Sequence, residues 1–201
     1  MMPELRGERV LLREMGTGDV PALFALMSDH AVMRYWSRPA MTEPREAAEL
    51  LAGIMADNAA GRLLEWGVAL PEGGLVGTLT LHHLSPTHRR AEIGFALARE
   101  QWGRGLMREA AELVVAHAFA TASAGGMELE RLEADTDPRN AASIALLERL
   151  GFQREGLLRR RWCVSGEWSD SAFFGLLREE WEMGALGSNP HPDLPPGRGK
   201  E

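Results

Sequence analysis

Cysteine is almost absent from this chain of 201 residues, which contains only Cys163. A single thiol excludes an intramolecular disulfide and a cysteine-based metal cluster, and it favours a reducing compartment. We interpret Cys163 as a structural residue. The first residues, MMPELRGERVLLRE, also lack an uninterrupted apolar run. We therefore expect neither a signal peptide nor a membrane anchor, and we predict a cytoplasmic protein without a membrane partner.

Positive charge is also in deficit. The formal net charge of −7 argues against a generally basic surface, so we expect no direct nucleic-acid partner, although residues 159–161 are three consecutive arginines. With 45% apolar residues, the chain fits one domain with a sizeable core better than two small ones. We predict a single domain over residues 1–183 and a disordered, Pro/Gly-rich tail over residues 184–201.

Hydrophobic periodicity and turn residues predict the order of the elements. The predicted strands are residues 8–14, 63–70, 75–84, 90–97, 129–135, 152–162 and 169–177. The predicted helices are residues 17–27 (with Thr17 as N-cap), 42–61, 106–121 and 140–150 (with Asn140 as N-cap). A helix crossover makes the strands at 90–97 and 129–135 the natural parallel pair. The order predicts an α+β fold with a mixed sheet and a ligand at the carboxyl ends of that pair.

A glycine turn links the first strand of the parallel pair to its helix. It reads Trp102-Gly103-Arg104-Gly105-Leu106-Met107. Glycines at the start of a helix leave backbone N–H groups unpaired beside the positive end of the helix dipole, which suits a phosphate-bearing ligand. The turn lacks both the Gly-Lys-Ser/Thr of a Walker loop and the third glycine of a dinucleotide fingerprint, so nucleotide hydrolysis and dinucleotide binding are poorly supported. Two glycines alone are also compatible with close packing.

Two other groups of residues have a structural and a functional interpretation. The loop with Tyr35 and Trp36 either packs between two helices or forms one wall of a substrate pocket. His82, His83 and His88 lie in or beside one hairpin. A metal site needs convergent ligands at a defined spacing, so we favour a polar outer face or loop and predict no metal.

Five segments together resemble the GNAT superfamily of acetyl-CoA-dependent N-acetyltransferases, specifically its RimJ/RimL-like branch of ribosomal-protein N-terminal acetyltransferases. The matching segments are residues 92–95, 102–110, 137–143, 150–156 and 166–181. Their order and spacing make the resemblance specific, and it covers about residues 4–183. It implies a mostly antiparallel sheet flanked by helices, whose parallel strands splay apart to hold acetyl-CoA. A homodimer is compatible with this family.

The resemblance also implies which residues bind acetyl-CoA. The pyrophosphate would lie on the loop of Trp102, Gly103, Arg104, Gly105, Leu106 and Met107. Backbone groups around Phe95 and Leu97 would pair with the pantetheine arm, and one of their N–H groups would polarise the thioester carbonyl, an effect worth a few kcal/mol. Asn140 would approach the CoA arm in addition to capping its helix. The superfamily usually has Gln or Arg at the place of Trp102 and Gly or Ala at that of Met107, and both departures are shared by the RimJ-like branch.

Glu92 is the predicted general base, because a carboxylate in an apolar strand is placed to take the proton of the attacking amine, directly or through water. The alternative is a salt bridge to Arg89, Arg90 or a neighbouring strand. Many superfamily members protonate the leaving thiolate with a tyrosine, but Leu147 stands in that position here. Ser143 is then the candidate acid, and a structural role in the first turn of its helix is the alternative.

The predicted activity is the direct transfer of an acetyl group from acetyl-CoA to a primary amine, with a protein or peptide N-terminal α-amino group as the leading acceptor. An acceptor with an α-amino pKa of about 8 needs less help from a base than a lysine at about 10.4. The first alternative is a small-molecule amine, such as an amino acid, a polyamine or an amino sugar. The second alternative, from another functional class, is a CoA-binding module without turnover.

Overall fold

The computed structural model describes residues 2–186, which form eight strands and six α-helices. The strands are β1 (Leu5–Arg6), β2 (Leu11–Arg13), β3 (Leu64–Ala69), β4 (Leu75–Ser85), β5 (Arg90–Leu97), β6 (Arg131–Thr136), β7 (Gln153–Val164) and β8 (Glu167–Leu177). The helices are α1 (Val20–Ser28), α2 (His30–Met33), α3 (Pro44–Ala59), α4 (Leu106–Phe119), α5 (Ala141–Arg149) and α6 (Arg178–Leu186). None of the helices in this part of the chain is long and apolar enough to cross a membrane.

All eight strands belong to one sheet, in the order β1-β2-β3-β4-β5-β6-β8-β7. Every neighbouring pair is antiparallel except β5 and β6, which α4 connects as a crossover and which are parallel. The predicted fold class, α+β with a mixed and mostly antiparallel sheet, is therefore confirmed. The parallel pair lies inside the sheet, with β1–β4 on the β5 side and β8 and β7 on the β6 side. The opening at the carboxyl ends of the pair is therefore flanked by paired strands on both sides.

Three elements are absent from the sequence-based prediction: β1, α2 and α6. The first two are too short to show a periodic pattern. Helix α6 includes residues 184–186, the first three of the predicted tail, and the remaining residues of that tail lie outside the described part of the chain. The prediction of Thr17 as N-cap is wrong. The carboxylate of Asp19 accepts the Gly16 N–H at 2.9 Å and closes a 3-10 turn, so α1 begins only at Val20.

Side-chain alternation along β5 divides the interior into two apolar clusters. Ile93, Phe95 and Leu97 pack with α4 and α5 in the larger cluster, whereas Ala96 packs in the cluster built by α1, α2 and α3. Because Glu92 and Ala96 are an even number of residues apart, Glu92 is directed to the α1–α3 face of the sheet.

Edge strand β7 lies outside both clusters. Cys163, on this strand, is exposed, so its thiol adds nothing to the core.

Candidate active site

The parallel strands pair over only three positions. The register partners are Arg90 with Arg131, Ala91 with Leu132, and Glu92 with Glu133. Beyond them β5 continues to Leu97 and β6 to Thr136 without further pairing. Backbone groups of residues 93–97 that face β6 are thus free of strand partners, which is the splayed arrangement that the resemblance implies.

Backbone alternation indicates which residues of β5 face this opening. The N–H of Ala98 donates to the Val76 carbonyl in β4 at 2.8 Å, so Phe95 and Leu97, an odd number of residues away, direct their N–H and C=O groups to the opposite side, toward β6. The indole Nε1–H of Trp102 donates to the Leu97 carbonyl at 2.8 Å. The Leu97 carbonyl is therefore occupied, and its N–H remains directed into the opening.

The glycine turn after β5 leads into the start of a helix, as the sequence predicted. Gly103 and Gly105 have φ values of +73° and +75°, in the left-handed region that favours glycine, and Gly105 is the N-cap of α4. The side chains of Leu106 and Met107 are buried in the larger apolar cluster. These two residues consequently anchor the turn through their side chains and can offer a ligand only their backbone.

Arg9 ties this turn to the beginning of the chain, which sequence reasoning missed. Its Nη1 donates to the Arg104 carbonyl at 2.9 Å, and its Nε donates to the Glu109 carboxylate at 2.7 Å. Burial alone would raise the pKa of Glu109, but the hydrogen bonds from Arg9 outweigh it and hold that pKa below its ordinary value. No local pattern could reveal this contact, because the partners are 100 residues apart.

At the start of α5 the predicted N-cap is present. Asn140 Oδ1 accepts the Ser143 N–H at 3.2 Å. Ser143 is half-buried, and among the described residues its hydroxyl has no hydrogen-bond partner. Leu147, at the place of the tyrosine in other superfamily members, is buried in the larger cluster. A tyrosine-based proton donor is therefore absent from this turn of α5.

Glu92 contacts two imidazoles rather than a guanidinium. Its Oε2 lies 3.0 Å from His83 Nδ1, and its Oε1 lies 3.9 Å from His82 Nε2. Neither Arg89 nor Arg90 is its partner, because Arg89 binds Glu130 and Arg90 binds Glu133. Of the alternatives to a catalytic role, only a contact with a neighbouring strand is found, with the two histidines of β4. The Glu92 side chain is 16% exposed, so it is largely buried but still in contact with solvent.

In line with the predicted polar outer face or loop, His83 and His88 are exposed, and His82 is half-buried. His82 and His83 contact Glu92, whereas His88 is exposed in the turn before β5. Regular alternation would place adjacent residues on opposite faces, but the register of β4 with β5 shifts after His82 and His83 has φ of +50°. Burial lowers the pKa of His82, which favours its neutral ring.

Strand β6 presents three carboxylates on the same face, each held by a donor. Glu133 binds Arg131 at 2.9 Å and also contacts Arg90. Asp135 accepts a hydrogen bond from the Trp162 indole at 3.1 Å. Asp137 lies 2.7 Å from the Arg139 guanidinium. Burial would raise the pKa of Asp137, but the hydrogen bonds from Arg139 hold it below its ordinary value.

Beyond the carboxyl end of β6 lies a cavity of about 350 Å³, between the loop after α2 and the β7–β8 hairpin. Its charged lining residues are Arg34, Arg38, Arg139, Asp137 and Glu167. Tyr35 lies between two of these cations, with its ring centroid 5.2 Å from Arg34 Cζ and 5.9 Å from Arg139 Cζ. Trp36 packs against the α1–α3 cluster, as the packing interpretation of this loop expects, and it also lines the cavity, whose role as a substrate pocket stays a prediction.

The chain is similar in sequence to known proteins. Residues 9–153 match the acetyltransferase (GNAT) domain family. The chain is 31% identical to the uncharacterized N-acetyltransferase YoaA of Bacillus subtilis over 179 residues (89% of this chain and 98% of that protein). It is 27% identical to the spermidine N(1)-acetyltransferase of Escherichia coli over 172 residues (86% and 88%).

Among solved structures, Mycobacterium smegmatis RimJ in complex with CoA-disulfide superposes with a TM-score of 0.76 at 27% identity, covering 89% of this chain and 87% of that one. This structural similarity agrees with the RimJ/RimL-like resemblance of the five sequence segments. The splayed strands, the glycine turn and these similarities lead to one conclusion: the chain belongs to the GNAT family of N-acetyltransferases, in its RimJ/RimL-like branch.

Proposed function

We propose that the chain transfers the acetyl group of acetyl-CoA directly to the α-amino group of a peptide or protein N-terminus. The observation that carries the acceptor class is the arginine-rich cavity beyond β6. Three arginines and two carboxylates line it, and Arg139 binds both carboxylates, Asp137 at 2.7 Å and Glu167 at 3.0 Å. Within the described residues, Arg34 and Arg38 have no salt bridge.

The cofactor arm of the proposal rests on the opening between β5 and β6. Acetyl-CoA would place its pyrophosphate on the backbone of residues 102–107, at the positive end of the α4 dipole. Its thioester oxygen would accept the Leu97 N–H, which faces the opening and has no strand partner. Phe95 would pair with the pantetheine arm, and Asn140 would approach it from α5.

The proposed chemical step uses Glu92, on the α1–α3 face of the sheet, and the Leu97 N–H, in the opening between β5 and β6. Glu92, on the α1–α3 face, takes a proton from the acceptor ammonium, and the neutral amine attacks the thioester carbon. Negative charge develops on the thioester oxygen, where the Leu97 N–H stabilises it. The C–N bond forms, the C–S bond breaks, the nitrogen releases its surplus proton to water, and the CoA thiolate receives a proton. Ser143 is the proposed donor for that last transfer, and its hydroxyl regains a proton from water.

Charge argues for a peptide acceptor and against a polyamine. A polyamine carries several positive charges and no anionic group, so Arg34 and Arg38 would repel it. A peptide offers carbonyl oxygens and, at acidic side chains, carboxylates that guanidinium groups bind well.

A small carboxylate-bearing amine is the second candidate. The cavity volume of about 350 Å³ is within the range of pockets for small ligands, and an amino acid would satisfy the same arginines. Its amine would also titrate near an α-amino pKa of about 8. Peptide length consequently separates the two candidates better than charge does.

The test is release of free CoA thiol from acetyl-CoA with four acceptors: a hexapeptide with acidic residues after its N-terminus, the same peptide with lysines instead, a single amino acid, and spermidine. We expect the acidic hexapeptide to give the highest kcat/KM. Higher turnover with spermidine would contradict the proposal, and equal turnover with the amino acid would favour the second candidate.

Variants at the cavity sharpen this test. Arg34→Gln and Arg38→Gln should each lower kcat/KM for the acidic peptide by about 10-fold, which corresponds to a lost charged hydrogen bond of about 1.4 kcal/mol, and should narrow the preference over the lysine peptide. Arg45→Gln is the matched control, because Arg45 is an exposed arginine that pairs with Glu43 at 2.8 Å outside the cavity. If kcat/KM for the acidic peptide fell equally in Arg45→Gln, the cavity would not be the site of acceptor recognition.

A further inference from the structure

Two adjacent histidines of β4 converge on one carboxylate of β5. One donor atom from each of His82, His83 and Glu92 can be chosen so that all three lie within 4.8 Å of one another. The shortest of these separations is the 3.0 Å between His83 Nδ1 and Glu92 Oε2. Two imidazole nitrogens and a carboxylate oxygen form a donor set that zinc and neighbouring divalent metals bind well.

This convergence depends on an irregularity of the backbone. The register shift after His82 and the φ of +50° at His83 turn the second imidazole toward the same carboxylate as the first. Bulges of this kind re-aim a side chain, and a non-glycine residue in the left-handed region is held there by its surroundings. The two histidines and the carboxylate are thus positioned together rather than scattered along a flexible loop.

Charge around the three residues also suits a cation. Among the described residues, Glu92 has no arginine partner, since Arg90 is engaged by Glu133. Asp135 adds negative charge near His82. Metal ligation requires neutral imidazoles, so the affinity of such a site increases as the histidines lose their protons. An incoming ion would displace no competing guanidinium.

We propose that His82, His83 and Glu92 bind one divalent metal ion of the zinc class, and that the bound ion withdraws the Glu92 carboxylate from proton transfer. Three protein ligands leave a coordination position for water, so the site is open to solvent and reversible. The inhibition rests on the proposed function of Glu92, whereas the binding does not. The site would make acetyl transfer sensitive to free metal.

Binding is tested by titrating Zn²⁺ into the tag-free, full-length protein in competition with a chromophoric chelator near neutral pH. We expect one ion per chain. His82→Ala and His83→Asn should each weaken affinity by more than about 10-fold, the smallest loss typical of removing an outer-shell partner. Asparagine is chosen for position 83 because it tolerates a left-handed backbone. His88→Ala is the matched control from the same hairpin and should bind like the parent chain.

Stoichiometric binding that both ligand variants weaken supports the site. Absence of stoichiometric binding, or the same loss in His88→Ala as in the ligand variants, would overturn it. Acetyl transfer measured at the same Zn²⁺ concentrations should fall in parallel with occupancy and recover when EDTA is added. If zinc binds through His82 and His83 but does not inhibit acetyl transfer, the metal site stands and the proposed inhibition through Glu92 is overturned. Binding is measured without acceptor, so it decides the site even if no amine is turned over.

Discussion

The acidic residues on one face of the sheet differ sharply on the two sides of the opening. On the β6 side, Glu133, Asp135 and Asp137 each accept a hydrogen bond from a guanidinium or an indole. On the β3–β5 side, Glu92 contacts only imidazoles, and no ion pair of Glu65 is found among the described residues. Despite burial, hydrogen bonds from Arg139 hold the pKa of Asp137 below its ordinary value, whereas burial raises the pKa of Glu65 to about 7.

This difference assigns distinct tasks to strands that are direct neighbours. Glu92 and Glu133 are register partners on the same face, yet only Glu133 is neutralised by arginines. A carboxylate that is clamped by two guanidinium groups is a poor proton acceptor, because each positive charge stabilises its ionised form. We infer that β6 supplies rigidity and recognition, while β5 supplies acid–base chemistry. The contrast can be tested one carboxylate at a time.

The largest expected effect is on the rate of acetyl transfer in Glu92→Gln. Loss of a general base typically lowers the rate by about 10²- to 10⁴-fold, and the deficit should be greatest at low pH, where little of the acceptor amine is neutral by itself. The measurement is kcat against pH, together with the rise in melting temperature that CoA produces, which should be unchanged. A pH profile identical to that of the parent chain would remove Glu92 from catalysis.

Glu133, the register partner of Glu92 on β6, should show the opposite behaviour: a loss of stability with little change in rate. Glu133→Gln should lower the free energy of unfolding by about 1–3 kcal/mol, because Arg90 loses its carboxylate partner in a half-buried environment. The kcat should change by less than about 2-fold, far below the loss expected for a base. Urea unfolding and acetyl-transfer kinetics measured on the same preparation check both statements. A large fall in kcat with unchanged stability would reverse the roles of the two strands.

Glu65, on β3, tests the β3–β5 side without touching catalysis. Burial raises the pKa of Glu65 to about 7, and its register partner Thr80 has a buried hydroxyl without a hydrogen-bond partner. The folded protein therefore binds a proton more tightly than the unfolded chain, whose Glu has a pKa near 4.5. Stability is highest below that unfolded value and falls as pH rises toward 7, by at most about 1.4 kcal/mol per pH unit.

Glu65→Gln should remove this dependence, so the variant gains stability relative to the parent as pH rises from 5 to 8. The measurement is the melting temperature across that range. Glu49→Gln, at an exposed position of α3, is the control and should follow the parent chain. A parent stability that does not decline between these pH values would show that Glu65 is ionised in the fold.

The smallest effect concerns the end of β5. Trp102→Phe removes the indole hydrogen bond to the Leu97 carbonyl, an interaction worth about 0.5–1.5 kcal/mol, so CoA affinity should fall by about 2- to 10-fold. Isothermal titration with CoA gives the comparison. Trp168→Phe alters another exposed indole, on the β7–β8 hairpin, and should bind CoA like the parent. Equal affinities in all three proteins would mean that the indole does not organise Leu97.

Local signals explain which parts of this protein could be predicted from the sequence. The alternation of β5, the start of a helix after the glycine turn and the Asn140 cap depend on residues close together in the chain, and all three are found as predicted. Short elements such as α2 escape periodicity analysis because four residues complete barely one turn.

Contacts between distant residues could not be predicted in this way. The convergence of His82 and His83 depends on a bulge that breaks alternation, and no residue pattern marked it. Arg139 was noted only as part of a family segment, although it binds both Asp137 and Glu167 at the mouth of the cavity. The charge of the proposed acceptor cavity is therefore visible only in the structure, whereas the proposed cofactor turn is indicated by the sequence.

The contact of Arg9 with the glycine turn has a consequence for how the protein matures during synthesis. Arg9 leaves the ribosome early, but Glu109 and the Arg104 carbonyl follow about 100 residues later, and β6 later still. At a translation rate of about 5–20 residues per second, the amino-terminal segment waits several seconds for its partners. The nascent chain therefore cannot complete the proposed cofactor site until most of the sheet has been made, so CoA binding at that site would report that folding of the central strands is complete.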